Sequence, residues 1–466
     1  MSKEQIRQEI HGLVKKYYDE EYAKDETSFL PGERIQYSGR VYDAEEMINL
    51  VDAALEFWLT SGHYVEEFET GLADYLNVKH CSLVNSGSSA NLCAFMALTS
   101  SKLAERRINK GDEVIAVAAA FPTTVTPIMQ YGAIPVFLDV TIPDYNIDVS
   151  RLEEARSDKT KAVFIAHTLG NPFDLQTVKD FCDKYGLWLI EDNCDALGSE
   201  YFYNGEWRKT GTIGDLSTYS FYPPHHITLG EGGAVCTNNT QLYRLVNSFR
   251  DWGRDCWCAS GVDDTCKHRY SRQFGELPKG YDHKYVYSHF GYNLKSTDLQ
   301  ASIGCAQLKK LLEFVKTRKR NWAYLRENLD GLSDKIIMPE KTSGSEPSWF
   351  GFLMTVRKDA GFSRDDLAQF LESRNIQTRN LFSGNYIKHP CFDEMREAGE
   401  GYRVVGELTN TNIIMNDSLW IGVYPGMNQA KLDYMINSIK EFAKKHKRGV
   451  EHESCNIGGR QGNQNQ

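Results

Sequence analysis

From Ser220 to Gly233 the chain reads SFYPPHHITLGEGG, and two adjacent imidazoles, His225 and His226, sit in the middle of it. Imidazole titrates near neutral pH, so a histidine held in a loop can take a proton from a substrate and return it. A Pro-Pro-His-His run is equally suited to a structural turn. Sulfur forms the second reactive group. Cys256, Cys258 and Cys266 read C-x-C-x7-C, and Cys194 lies well upstream in IEDNCD. Four thiolates can hold a [2Fe–2S] cluster or a tetrahedral zinc, although this spacing is that of neither a common ferredoxin nor a zinc finger. Scattered buried thiols would look the same at this level.

Other residues stand where a ligand-binding α/β sheet would place them. Asp192 ends an apolar run, LWLI. A carboxylate at the C-terminal end of a parallel strand faces the crevice where such sheets bind ligands, or else caps a helix. Small residues in Asn85–Ala90, with Ser88 and Ser89 among them, precede a helical pattern. They suit a phosphate at a helix start, or a plain cap. Phe121 follows VIAVAAA and could stack on a flat ring or simply pack. His167 closes KAVFIAH, as a ring neighbour or a satisfied strand-end histidine. Asn293 lies in a Gly-Tyr-Asn loop before a helical stretch, and Arg379 and Arg403 are candidates for a nucleotide diphosphate or for the solvated surface.

The elements that must position these residues follow from periodicity. Apolar, β-branched runs predict strands at 114–117, 135–140, 162–166, 187–190, 218–221 and 233–237. Helical patterns at 89–98 and 175–185 separate several of them, which argues for a mostly parallel sheet covered on both faces. Before it, residues 1–60 read as a helical segment wrapped onto something larger, with an amphipathic helix at 44–59. The large domain is expected over 61–320, with the cysteine-bearing stretch 251–290 as an insertion and a helix at 297–314. A smaller C-terminal α/β domain is expected over 321–447, with helices at 364–374 and 429–445. Residues 448–466, rich in Gly, Gln and Asn, read as a disordered or appended tail.

Bulk properties narrow the class. The chain has 466 residues, is 41% hydrophobic, and carries a net charge of −10, which argues against a nucleic-acid partner. No apolar run approaches the roughly 20 residues of a membrane span, and the polar N-terminus has no signal-peptide pattern. A cytoplasmic protein is expected, and eleven cysteines there read as thiols or ligands rather than disulfides.

The Ser220–Gly233 stretch resembles the active-site segment of the DegT/StrS sugar aminotransferase family, S-F-x-x-x-K, a spacer, then G-E-G-G. The resemblance runs from about residue 1 to residue 447. It implies an α/β fold-type I pyridoxal-phosphate (PLP) enzyme of the aspartate aminotransferase kind. Ser88, Ser89 and Ser220 would hold the cofactor phosphate, Phe121 would cover the pyridine ring, and Asp192 would meet the ring nitrogen. Asn293 would reach the cofactor phosphate of the other subunit in a homodimer.

Where the family has its covalently linked lysine, this chain has His225. Within the family that change resembles the sugar 3-dehydrases, which hold pyridoxamine phosphate (PMP) without a covalent link. One subgroup also has a cysteine after the aspartate and a C-x-C-x7-C insertion. That resemblance implies His225 as the base at the cofactor's C4′ atom, and Cys194, Cys256, Cys258 and Cys266 as [2Fe–2S] ligands. It further implies C3 deoxygenation of a nucleotide-linked 4-keto-6-deoxyhexose, with CDP-4-keto-6-deoxyglucose the expected substrate, and an NADH-dependent flavin and iron–sulfur reductase as partner. Three alternatives stay open: a dTDP-sugar dehydrase of the spinosyn type, a cluster-free GDP-sugar 3-dehydratase regenerated by glutamate, and a catalytically dead sugar-nucleotide binder. The cysteines argue against the second, and the retained Ser88, Asp192 and Ser220 against the third. A frame shift of one residue would exchange His225 and His226.

Overall fold

The computed structural model describes residues 1–23, 29–258 and 261–446. Its central sheet has the strand order His80–Val84, Gly233–Thr237, Leu216–Ser220, Trp188–Asp192, Thr160–Ala166, Glu113–Val117, Ile134–Leu138 and Arg403–Val404. Only Gly233–Thr237 runs against its neighbours. The strands are buried almost end to end because helices cover both faces. Alternate residues divide between two cores. Val114, Phe164 and Ile190 meet Phe95 and Leu242 on one side, and Ile115, Ile165 and Leu189 meet Phe173 and Val178 on the other. All six expected strands are present. His80–Val84 and the two-residue Arg403–Val404 are additional; the first is too mixed in composition and the second too short to stand out as an apolar run.

The helix expected at 297–314 is much longer. It runs Asp298–Leu329, opens on a Thr297/Gln300 capping box, and crosses the expected domain border at 320/321. Its basic second half, TRKRN, looks solvent-facing in sequence, yet Thr317, Arg318 and Asn321 are buried because structure packs on both sides of it. Leu325 and Leu329 enter the C-terminal core with Phe352, Leu371, Ile421 and Ile439. That core lies on a small antiparallel sheet of Ile336–Ile337, Gly351–Val356 and Ser418–Gly422, flanked by Arg364–Ser373 and Gln429–Lys445.

The first sixty residues are not uniformly helical. Helix Lys3–Glu21 has no buried residue and docks through Arg7 and His11 onto Asp52 of helix Ala44–Glu56. Ile35, by contrast, bridges to Ile376 and belongs to the C-terminal core. The insertion 251–290 contains one short turn of helix, His283–Tyr285, among the described residues. Its two ends are stapled where Arg254 bridges Tyr287 and Asp251 bridges Asn293. Gly253 makes that crossing possible: its φ is +82°, and a side chain there would overlap the His289 carbonyl. Among the described residues no helix is long and apolar enough to cross a membrane. The tail expected at 448–466 lies outside the described residues.

Candidate active site

The carboxyl ends of the parallel strands open into a cavity of about 410 Å³, walled on its far side by Phe350, Phe382 and Trp420. Strand Trp188–Asp192 delivers Asp192 to it, strand Leu216–Ser220 delivers Ser220, and Phe121 enters as the N-cap of helix Pro122–Tyr131. This is where an open α/β sheet leaves its strand-end groups unpaired.

Helix Gly87–Ala97 points its N-terminus at the cavity. Ser86 Oγ accepts from Ser89 N at 3.1 Å, and Ser89 Oγ donates to Asn85 Oδ1 at 2.6 Å. Ser89 is therefore committed to the cap and does not line the cavity, whereas Ser88 is exposed and does. A methyl on Gly87 would overlap the Cβ of Ser220 and stand 2.7 Å from its hydroxyl. The glycine thus brings Ser220 against the helix N-terminus. Free N–H groups, the positive end of the helix and two hydroxyls form a cradle that fits a phosphate.

Asp192 is 4% exposed. Its Oδ2 accepts from Asn91 Nδ2 and Thr124 Oγ1, both at 2.8 Å, and its Oδ1 accepts from Cys194 N at 3.1 Å. Thr218 donates to Asn91 Oδ1 at 2.5 Å and so holds the amide in its donating orientation. The carboxylate is satisfied by neutral donors, and among the described residues no cation pairs with it. A protonated ring nitrogen would suit this carboxylate in charge. Phe121 is 53% exposed and meets Phe382 edge-on at 6.2 Å, so its face is available for stacking.

The two histidines separate cleanly. His225 lines the cavity, with Nδ1 3.0 Å from the Ser220 carbonyl and Nε2 3.3 Å from Asp195 Oδ1. A carbonyl oxygen only accepts, so Nδ1 is held as a donor, and Nε2, which faces the Asp195 carboxylate and the cavity, is the nitrogen that can give up or take a proton. Tyr222 and Phe350 meet the ring edge-on at 4.4 and 5.2 Å. His226 is fully buried and turned away, its Nε2 2.8 Å from the Ser348 carbonyl. Burial, with Arg318 nearby, pushes its pKa well below the usual histidine value, so it is a neutral packing residue.

Asp195, absent from the sequence-level candidates, is the partner of His225. Burial raises its carboxyl pKa, and His225 opposes the rise. Arg318, also missed, is wholly buried and donates to the His225 and Trp349 carbonyls at 3.1 and 3.3 Å. Burial lowers its pKa, and Asp195 acts in the opposite direction. Asp195 follows Asp192 so closely that only the turn after the strand shows both facing one cavity. Arg318 was concealed in the basic run of the long helix.

Other expectations fall elsewhere. His167 is in the core, 3.1 Å from Glu191 Oε2 and stacked on Phe173, so it is the satisfied strand-end histidine. Arg379 lines the cavity and lies over the Tyr37 ring at 4.1 Å. Arg403 instead pairs with Glu113 at 2.8 Å, at the opposite ends of the strands, which removes it as a phosphate ligand. Asn293 is exposed outside the cavity and accepts from Lys295 at 2.7 Å. Cys256, Cys258 and Cys266 share one small cavity in the insertion. Cys194 does not join them. It lines the active-site cavity, where burial and the carboxylates of Asp192 and Asp195 push its thiol pKa well up. Among the described residues no three His, Cys, Asp or Glu side chains already stand in metal-binding geometry.

A model of the DegT/DnrJ/EryC1/StrS aminotransferase family matches residues 41–440. The chain belongs to this family. Among its members, the lipopolysaccharide biosynthesis protein RfbH of Salmonella typhimurium is 51% identical over 443 residues, 95% of this chain and 99% of that protein. The dTDP-4-dehydro-2,6-dideoxy-D-glucose 3-dehydratase of Saccharopolyspora spinosa is 48% identical over 437 residues, 94% of this chain and 92% of that one. Among solved structures, E. coli GDP-4-keto-6-deoxy-D-mannose-3-dehydratase with bound hydrated PLP superposes with a TM-score of 0.75 at 28% identity, covering 87% of this chain and 98% of that one. The fold is the aminotransferase fold of this family, an α/β architecture on a large, mostly parallel sheet.

Proposed function

We propose that this DegT-family chain is a sugar-nucleotide 3-dehydrase that removes the C3 hydroxyl of a nucleotide-linked 4-keto-6-deoxyhexose, CDP-4-keto-6-deoxyglucose being the expected substrate. The observation that carries this reading is His225, at the position of the family lysine, lining the cavity with its Nε2 beside Asp195. The 3-dehydratase at 48% identity supports it.

The helix N-terminus at Gly87–Ser88, with Ser220, would hold the phosphate of pyridoxamine phosphate. Phe121 would cover the ring, and Asp192 would keep its nitrogen protonated. Asn293 would reach the corresponding phosphate across a homodimer. When bound, the cofactor supplies an amine for the 4-keto carbon and a ring that accepts electrons.

The chain's own contribution is proton transfer and exclusion of water. The Ser220 carbonyl holds Nδ1 of His225 as a donor, so Nε2 would be the atom that takes the proton released at C4′ and returns it to the departing hydroxyl. Asp195 steadies the imidazolium that forms. Tyr222 and Phe350 close the ring off from bulk water. A histidine cannot form the lysine's covalent link, so the cofactor stays free to leave or to be reloaded as the amine.

Completing C3 deoxygenation requires electrons. Cys256, Cys258 and Cys266, with Cys194 as the fourth thiolate, are proposed to hold a [2Fe–2S] cluster, supplied one electron at a time by an NADH-dependent flavin and iron–sulfur reductase. Anaerobic incubation with CDP-4-keto-6-deoxyglucose, with and without such a reductase and NADH, tests the whole reading by product identification. Parallel reactions with the dTDP- and GDP-linked sugars decide the nucleotide. Recovery of a C4-amino sugar with C3 oxygen retained would overturn it.

A further inference from the structure

We propose that Arg318 is the positioning residue of the active site: one buried guanidinium holds the backbone of His225 and that of Trp349, and so aims the imidazole into the cavity. The inference rests on His225 acting as the base.

The loop around His225 has few backbone bonds of its own. Pro223 and Pro224 carry no N–H, so two successive donors are missing just before the base. His225 N donates back to the Tyr222 carbonyl at 3.0 Å, and Leu229 N reaches the Phe221 carbonyl at 2.9 Å. Further support comes from helix Asp298–Leu329. Gln307 Oε1 accepts from Thr228 N at 3.2 Å, and Arg318 donates to the His225 carbonyl at 3.1 Å. Gln307 and Arg318 stand about three helical turns apart, so both project from the face of the helix that meets this loop.

Arg318 is 1% exposed, and among the described residues no carboxylate forms an ion pair with it; Asp195 acts on it only through its charge. Its second arm donates to the Trp349 carbonyl at 3.3 Å, while Nε has no hydrogen-bond partner. The next residue, Phe350, meets the imidazole edge-on at 5.2 Å and lies 5.8 Å from the guanidinium carbon. One rigid planar group therefore fixes both the peptide that carries the base and the segment whose ring packs against it. Keeping a cation buried on two carbonyls is costly. An apolar side chain of similar length would fill the space without that cost, but it could not donate to either carbonyl.

The test compares Arg318→Met, Arg318→Lys, Arg318→Ala and His225→Asn in the full-length protein. Two quantities are read: tritium released from C4′ of bound pyridoxamine phosphate on adding CDP-4-keto-6-deoxyglucose, and amide hydrogen exchange over residues 221–229 without cofactor. Arg318→Met should bind the cofactor within a few-fold of native, because the phosphate cradle lies elsewhere. Its tritium release should fall by about 10²-fold, the order expected when a reacting group is misplaced by about 1 Å, with KM little changed. Exchange protection should be lost over 221–229 and kept in the central sheet. Arg318→Lys keeps the charge but has no planar fork to span two carbonyls, and should fall by about tenfold; it also decides the matter if the methionine variant does not fold. Arg318→Ala should regain release in millimolar guanidinium and not in methylammonium, a rescue that general misfolding would not allow. Native-like release in Arg318→Met or Arg318→Lys, beside a His225→Asn that has lost it, would overturn the positioning role and leave the base standing. Arginine variants that lose release and cofactor binding together, with no rescue by guanidinium, would also overturn it. Native-like release in His225→Asn would overturn the base and this inference with it.

Discussion

Replacing His225 by Asn isolates what the imidazole does. The amide Nδ2 of asparagine can occupy the place of Nδ1 and still donate to the Ser220 carbonyl, 3.0 Å from Nδ1 in the native site. Nothing replaces Nε2, the atom beside Asp195. The cradle for the phosphate and the carboxylate of Asp192 are untouched, so cofactor affinity should stay within a few-fold. A positioned general base contributes a factor of about 10² to 10⁴ in rate, or about 3 to 5 kcal/mol of barrier. Turnover should fall by that factor with KM little changed. Stability should respond as well. Asp195 has a raised carboxyl pKa because it is buried, and His225 limits that rise. A raised acid pKa means the folded state holds its proton above the ordinary carboxylate range, so stability falls as pH rises through that window. Without His225 the window extends upward, and the variant should lose more denaturant resistance than the native protein does as pH rises above the ordinary carboxylate range. Single-turnover assays of cofactor-saturated protein, with nucleotide products separated by chromatography, read the first effect; urea midpoints read the second. Turnover within tenfold of native would refute the assignment of the base.

Gly87→Ala should weaken cofactor binding at least tenfold, because the added methyl overlaps Ser220; titrating apoprotein with pyridoxal phosphate checks this, and unchanged affinity would move the phosphate elsewhere. Asp192→Asn places an NH₂ against groups that themselves donate, which should cost about 1–3 kcal/mol of stability and reduce cofactor affinity, read by urea unfolding and the same titration. Asp52 has its pKa lowered to about 2 by Arg7, with His11 and Tyr64 adding to the effect. Its contribution of roughly 2 kcal/mol is present above the ordinary carboxylate pKa and is lost as pH falls toward 2. Hydrogen exchange should therefore show helix Lys3–Glu21 losing protection before the central sheet on acidification, and Asp52→Asn should show the weak protection already at pH 5.

Period and composition alone determined six of the eight strands of the sheet, two of the helices between them and the crevice at their C-terminal ends, because an element buried on both faces must be apolar throughout its length. The exchange of lysine for histidine was equally plain, since one side chain decides whether a covalent link can form. Motif spacing pointed to His225 rather than its neighbour, but what each ring binds was not legible: that depended on the Ser220 and Ser348 carbonyls, one local and one more than a hundred residues away. Asp195 and Arg318 acquired their importance only when separate elements buried them beside His225. The cysteines illustrate the same division. Their spacing was open to a metal or to scattered thiols, whereas tertiary packing placed Cys194 in the active-site cavity and Cys256, Cys258 and Cys266 together in the insertion. Side-chain types and intervals are properties of the chain; which lone pair faces which atom is decided only by how distant segments pack.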